Sequence, residues 1–319
     1  MEIEFHGDID INARELLVAK ISNYFEASAL SGRKLSIYFN LNKGSKVNSR
    51  NFNVLILHEP RAVIPWQYQS HILSQFQLLI PISPWRSETL GYPNWVFHPY
   101  KFTSLNSSSE VTRDIWISMI NASKFSSGRT SNYGLRRKVS KLIIKKGLDF
   151  KLYGWGWNSS FKDELRRRAI ALRDSFFARE KISWSETLST LFYRFDAYQG
   201  GVVEKSEILQ RSELHLVIEN DSDWITEKLF DALTYLAVPI YVGPTFEKYL
   251  PALEKCIIRC EGNADSIAKR IECITPAEVE LKRAAIRELM LNKNLLNEIE
   301  YDYVWTKISQ LIMSGIRDS

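Results

Sequence analysis

Two carboxylates, an amide and a lysine crowd the point in residues 219–251 where an apolar strand gives way to a helix. The run begins Glu219-Asn220-Asp221-Ser222-Asp223-Trp224-Ile225-Thr226-Glu227-Lys228, and a second apolar segment, 238–242, follows closely. In an open α/β sheet, ligands bind outside the carboxyl ends of the strands, where a helix N-terminus offers free N–H groups to an anion. Leu229, Ala232, Leu233 and Leu236 recur at helical spacing, so that stripe is expected to be buried. Thr226 is a candidate N-cap. Glu227 suits the first turn of a helix, whereas Lys228 stands against the helix dipole there. A lysine in that place makes sense if a phosphate lies at the helix start. The plainer alternative is a capped surface helix with an ordinary exposed lysine.

Other residues invite chemistry with less force. Arg136 follows a Ser- and Gly-bearing loop and lies beside the apolar stripe Leu135, Val139, Leu142 and Ile143; its planar fork suits a diphosphate. Arg137 and Arg129 are rivals for that role. His58-Glu59-Pro60 follows the strand-like run Phe52–Leu57, which places Glu59, or His58 in its stead, at a strand's carboxyl end as a candidate base. Asp221-Ser-Asp223 has the form of a metal-binding Asp-x-Asp tripeptide, but a tripeptide is weak evidence. Trp155-Gly-Trp157 can touch a base or an acceptor, and loop packing explains it equally well. The three cysteines, Cys256, Cys260 and Cys273, make neither a disulfide framework nor a complete metal set, and their odd number points to a reducing compartment.

These residues need a scaffold. Glu2–Phe5, Lys34–Leu41, Phe52–Leu57 and Gln77–Ile80 read as strands, with a helix over Asn12–Leu30. After the small polar residues 104–109, a candidate linker, the pattern restarts. Strands are expected at Asp114–Ala122, Phe150–Tyr153, Leu214–Ile218, Val238–Val242 and Cys256–Arg259. Helices are expected at Tyr133–Lys146, from Thr226 to Leu236, and over 264–272, 276–291 and 294–315. Residues 160–195 read as a charged helical insertion in which Arg166–Arg168 form a solvated face. Alternation of this kind favours parallel α/β sheets. The expected architecture is α/β, with a first domain over 1–105 and a second over 106–319, the last helix being a candidate to cross back.

The totals fit such an enzyme. The chain has 319 residues, 45% hydrophobic and 25% charged, with a formal charge of +5. That charge suits a ligand bearing phosphates and falls short of the basic stripe expected of a nucleic-acid binder. The N-terminus lacks the pattern of a signal peptide, and no window approaches the ~18 consecutive apolar residues of a membrane span. A cytoplasmic protein, soluble or peripheral to a membrane, is the expectation.

Tyr198–Pro251 resembles the alpha-1,3/1,4-fucosyltransferases, glycosyltransferase family ten, of bacterial or viral type. The resemblance rests on Tyr198-Gln-Gly-Gly, Lys205, Leu214-His-Leu-Val-Ile-Glu-Asn, Thr226-Glu-Lys-Leu-Phe-Asp-Ala-Leu and Val238-Pro-Ile-Tyr-Val-Gly-Pro. A weaker likeness runs from Ser131-Asn-Tyr-Gly-Leu-Arg-Arg to Tyr153-Gly. The resemblance implies a GT-B-like fold of two Rossmann-like domains facing a cleft. It also implies inverting transfer of L-fucose from GDP-fucose to a glycan, either an oligosaccharide or a lipid-linked acceptor. In these terms Lys228 and Arg136 hold the diphosphate, Glu227 contacts the ribose, and Glu219 and Asn220 line the fucose and nucleotide region. Trp224 stands where the family usually has tyrosine, so an aromatic contact is kept and a hydroxyl lost. Glu59 matches the family's base, with a shorter spacing to proline. No obligatory metal is expected, although a divalent cation can stimulate. The rival readings are a different nucleotide sugar and a non-catalytic glycan-binding protein.

Overall fold

Strands rich in Val, Ile and Leu without polar alternation belong in sheets covered on both faces. Phe52–Leu57 and Val238–Val242 are buried along their whole lengths. The computed structural model of the chain describes residues 2–22, 34–102, 112–126, 131–179, 181–184 and 190–318. These form two compact units, 1–101 with 297–319, and 102–296. The candidate linker 104–109 lies outside the described residues.

The first unit runs β1 (Ile3–Gly7), α1 (Ile11–Ser22), β2 (Leu35–Phe39), β3 (Phe52–Leu57), α2 (Ser70–Leu73), β4 (Leu78–Pro81) and α3 (Pro84–Leu90). Among the described residues its sheet is parallel in the order β1-β2-β3-β4. The helix expected over Asn12–Leu30 is described only to Ser22, where Ala13, Leu17 and Ile21 form its buried face.

The second unit continues with β5 (Ile115–Ile120), α4 (Tyr133–Lys145), β6 (Phe150–Tyr153), α5 (Phe161–Phe177), β7 (Tyr198–Gly200), α6 (Lys205–Arg211), β8 (Ser212–Ile218) and α7 (Glu227–Thr234). Then come β9 (Val238–Val242), α8 (Ala252–Cys256), β10 (Ile258–Arg259), α9 (Ala264–Glu272) and α10 (Pro276–Leu291). Cys256 thus ends a short helix and does not begin a strand. The sheet is parallel in the order β10-β9-β8-β5-β6-β7. From β5 the chain winds outward through β6 and β7, then returns to β8 on the other side of β5 and winds the opposite way. The reversal makes the carboxyl ends of β5 and β8 a topological switch point.

α11 (Tyr301–Arg317) belongs to the first unit. It packs on α1 and β4 and buries Val304, Trp305, Ile308, Ile312, Met313 and Ile316. Its first turn is fixed by Glu300, whose carboxylate accepts from the N–H groups of Asp302 and Tyr303, and by the Tyr301 hydroxyl, which donates to Asp10 at 2.5 Å.

Candidate active site

α4 ends in a Schellman turn. The N–H of Gly147, at φ +68°, donates to the Ile144 carbonyl, and that of Leu148 donates to Ile143. At its other end α4 brings Arg136 to the switch point, with only 3% of its surface exposed. Arg136 Nε donates to the Ile218 carbonyl at 2.8 Å, and Nη2 donates to that carbonyl and to Asn220 Oδ1, the latter at 2.7 Å. Its guanidinium also lies 5.0 Å from the Tyr133 ring centre. Arg136 therefore ties the end of β8 to α4 as well as facing the cavity. Burial works against its charge, which Tyr133, Glu219 and Glu227 favour. The rival Arg137 turns elsewhere, donating to the Lys124 carbonyl and covering the Phe125 ring. Arg129 lies outside the described residues.

Beyond β8, Glu219 is wholly buried. Its carboxylate accepts from the Thr226 N–H at 3.2 Å and from the Thr226 hydroxyl at 2.6 Å. Lys228 Nζ in turn donates to Thr226 Oγ1 at 3.1 Å and to Glu227 Oε1 at 3.3 Å. This corrects the reading of Thr226 as a side-chain cap. Thr226 occupies the N-cap position of α7, but its hydroxyl is turned to Glu219 and makes no cap hydrogen bond. Glu219 is pushed up to about 7, chiefly by burial, while Lys228 and the Thr226 hydrogen bonds oppose the shift. Leu229, Ala232 and Leu233 are buried as the stripe predicts, whereas Leu236 is half-buried past the helix end at φ +56°.

A cavity of about 280 Å³ opens at the switch point. Four sequence-predicted residues line it: Arg136, Asn220, Glu227 and Lys228. Glu219 and Thr226 support it from behind. Trp224 is 1% exposed and sits in the core, so the expected aromatic contact from this position is corrected to a packing role. The aromatic surface comes from Tyr133 and from Trp155, which is 70% exposed. The Trp155 indole lies close over Gly201, where a Cβ would meet it at 2.8 Å. Lys205, part of the quoted resemblance without an assigned role, also lines the cavity and pairs with Asp231 at 2.8 Å.

The sequence reading missed Asn121. It follows β5 and is held from its main chain: its N–H donates to Tyr153, and its carbonyl accepts from Trp157 Nε1 at 2.6 Å. Gly154, at φ +116°, is required beside it, since a Cβ would come within 2.1 Å of the Asn121 carbonyl oxygen. Asn121 is among the residues lining the cavity, is nearly wholly buried, and makes no hydrogen bond through either side-chain amide atom. Buried amides normally find partners, and the place of this one at the cavity wall makes it a candidate to meet a ligand. An asparagine ending a buried strand carries no periodic signal, which hid it.

Glu59 belongs to the first unit. Its N–H and that of His58 donate to Asn40 Oδ1, both at 2.9 Å. The Glu59 carbonyl accepts from Gln67 Nε2 at 3.1 Å and from the Tyr68 hydroxyl at 2.6 Å. Asn40 itself adopts φ +55°, a conformation asparagine tolerates better than most residues. The main chain that presents Glu59 at the end of β3 is thus held from both sides. The His58 ring packs between Phe39 and His98.

Asp221 is wholly buried, and its Oδ1 accepts from the Ser222 N–H. Among the described residues, no cluster of three or more His, Cys, Asp or Glu is arranged to hold a metal ion. No described helix is long and apolar enough to cross a membrane. Cys256 and Cys260 are buried, with thiols pushed up to about 11 by that burial.

No known protein-family profile matches the chain. A fucosyltransferase-like protein of Arabidopsis thaliana is 33% identical over 97 residues, which cover 27% of this chain; the match spans only 19% of that relative's length. Solved structures resemble the chain over nearly all of it. A glycosyltransferase from Rickettsia africae superposes with a TM-score of 0.51 at 10% identity, covering 99% of this chain and 98% of its own. Anabaena HepE in complex with UDP reaches 0.54 at 10% identity, covering 98% and 100%. The pneumococcal O-GlcNAc transferase GtfA, in complex with UDP and GlcNAc, reaches 0.51 at 14% identity, covering 95% of this chain and 60% of its own. The fold is accordingly the mixed α/β, two-sheet fold of GT-B glycosyltransferases.

Proposed function

We propose that the chain is an inverting glycosyltransferase that moves L-fucose from GDP-fucose to a hydroxyl of a glycan acceptor. The observation that carries this reading is the cavity at the β5/β8 switch point, where Arg136 and Lys228 converge with Asn121, Asn220 and Glu227. A diphosphate placed there meets two cations and the first turn of α7. As the bond between the fucose anomeric carbon and the phosphate oxygen breaks, its electron pair passes to the diphosphate, whose growing charge these groups stabilise. The acceptor oxygen attacks the opposite face of the sugar and gives its proton to Glu59, the proposed base. Because Lys228 and Arg136 supply the positive charge, a divalent cation is dispensable in this proposal and at most stimulates.

Fucose is supported by the motif resemblance and by the Arabidopsis relative. A UDP-sugar donor is the second reading, favoured by the UDP-bound structural neighbours. The acceptor is an oligosaccharide or a lipid-linked glycan, and a cytoplasmic location fits either.

The test is nucleotide release from a panel of nucleotide sugars by wild type and Lys228→Ala, with and without EDTA, alongside a binding titration. GDP released from GDP-fucose alone, lost in the variant and indifferent to EDTA, is the expected result. Release from a UDP-sugar would replace the donor and keep the pocket. Binding without turnover in the presence of glycan acceptors would favour a non-catalytic glycan-binding protein. No binding of any nucleotide sugar would overturn the assignment.

A further inference from the structure

α5 is an amphipathic helix turned inside out. The stripe it lays on the protein is Glu164, Arg168, Ala171, Ser175 and Ala178, at successive spacings of three and four. Polar anchors hold that stripe. Arg168 pairs with Glu164 and covers the Phe125 ring at 4.4 Å. Arg167, next to it, donates to the carbonyls of Ser123 and Gly156, both at 2.9 Å. This corrects the expectation that Arg166–Arg168 form a solvated face, since only Arg166 is exposed.

The outward side carries what a core-facing stripe normally would. Phe161, Leu165 and Phe176 form one apolar row and Ile170 with Phe177 another; Phe176 is 72% exposed and Phe177 58%. Between the rows run Lys162, Arg166 and Arg173, all exposed. Phe192, 83% exposed, stacks on Phe161 and widens the surface. The exposed charged side chains of residues 161–179 are Lys162, Arg166, Arg173 and Arg179 against Asp163, and Arg173 also pairs with half-buried Asp174 at 2.9 Å.

We propose that this face of α5 docks the protein on an anionic lipid bilayer surface, with the helix lying in the interface plane. The apolar rows enter the headgroup boundary, while Lys162, Arg166 and Arg173 extend to lipid phosphates. Charge complementarity selects this occupant. A two-fold contact with a second copy would set one basic row against another, whereas anionic headgroups neutralise it. The inference is independent of which sugar is transferred.

The experiment is flotation of the full chain with vesicles of phosphatidylcholine alone or mixed with phosphatidylglycerol. It compares wild type, the surface double variant Leu165→Glu/Phe176→Glu and the charge variant Lys162→Glu/Arg173→Glu. Wild type is expected to bind the mixed vesicles at least about tenfold better than the neutral ones, and both variants to lose that preference. Nucleotide-sugar binding by the variants, measured in parallel, should match wild type and shows that the fold is intact. Absence of vesicle binding by wild type, or binding unchanged in both variants, would overturn the proposal. A concentration-dependent dimer in sedimentation velocity that the double variant abolishes would also overturn it, by assigning the face to a second copy.

Discussion

Asn121 and Glu219 sit at the ends of neighbouring strands and are buried for different reasons. Glu219 spends its carboxylate on Thr226 and so fixes the loop that leads into Lys228. Asn121, at the cavity wall, leaves its buried amide without a hydrogen bond. That contrast gives a prediction with two opposite signs. Asn121→Ala should weaken nucleotide-sugar binding about tenfold, by losing hydrogen bonds made only to the ligand. The same substitution should leave the ligand-free protein as stable as wild type, or stabilise it by up to about 1 kcal/mol, because it removes an unsatisfied buried group. Calorimetric titration with a nucleotide sugar and denaturant unfolding of the ligand-free protein read the two effects. Weaker binding accompanied by lost stability would mean that Asn121 serves only the fold.

β8 couples two buried titratable groups with opposite tendencies. His215 is pushed down to about 3, chiefly by burial, with Lys205 and Lys228 adding to the shift; its Nδ1 lies 2.8 Å from the Ser118 hydroxyl. The unfolded chain therefore takes up a proton at His215 below about 6.5 that the folded one refuses, so this group lowers stability as pH falls. Glu219 acts in the other sense. Folded, it keeps its proton up to about 7, whereas unfolded it loses it near 4.5, so stability declines as pH rises through that window. The two slopes oppose each other between about 4.5 and 6.5. Glu219→Gln removes one of them. Its stability should rise with pH across that range while wild type stays comparatively flat. Urea unfolding across a pH series checks this, and parallel curves would refute it. The strands themselves were legible in the sequence. Phe52–Leu57, Phe150–Tyr153 and Val238–Val242 stand where their apolar runs place them, because bounded β-branched and aromatic runs report burial directly. The partners of single polar side chains were not legible. Thr226 sits in a capping position yet turns to Glu219, and Arg168 lies in a charged run yet covers Phe125, because such choices depend on how the loops and neighbouring elements fold and not on the local pattern.

At the scale of the molecule, the second unit is one uninterrupted stretch of chain, while the first closes only when the last helix returns to it. Burying six large side chains and a serine along α11 stabilises the first unit by on the order of 10 kcal/mol, comparable to the whole net stability of a typical domain. A chain truncated after Leu296 should therefore lose amide-exchange protection throughout β1–β4 and keep it in β5, β8 and β9. Protection retained in β1–β4 would show that α11 is an accessory. Synthesis on the ribosome turns this arrangement into a matter of timing. β1–β4 are made before α11 and wait for it through about 200 residues, on the order of 10 to 40 s of translation. During that interval Leu78 and the side of α1 that meets α11 lack their covering helix, so β1–β4 and α1 are where a chaperone would be needed longest.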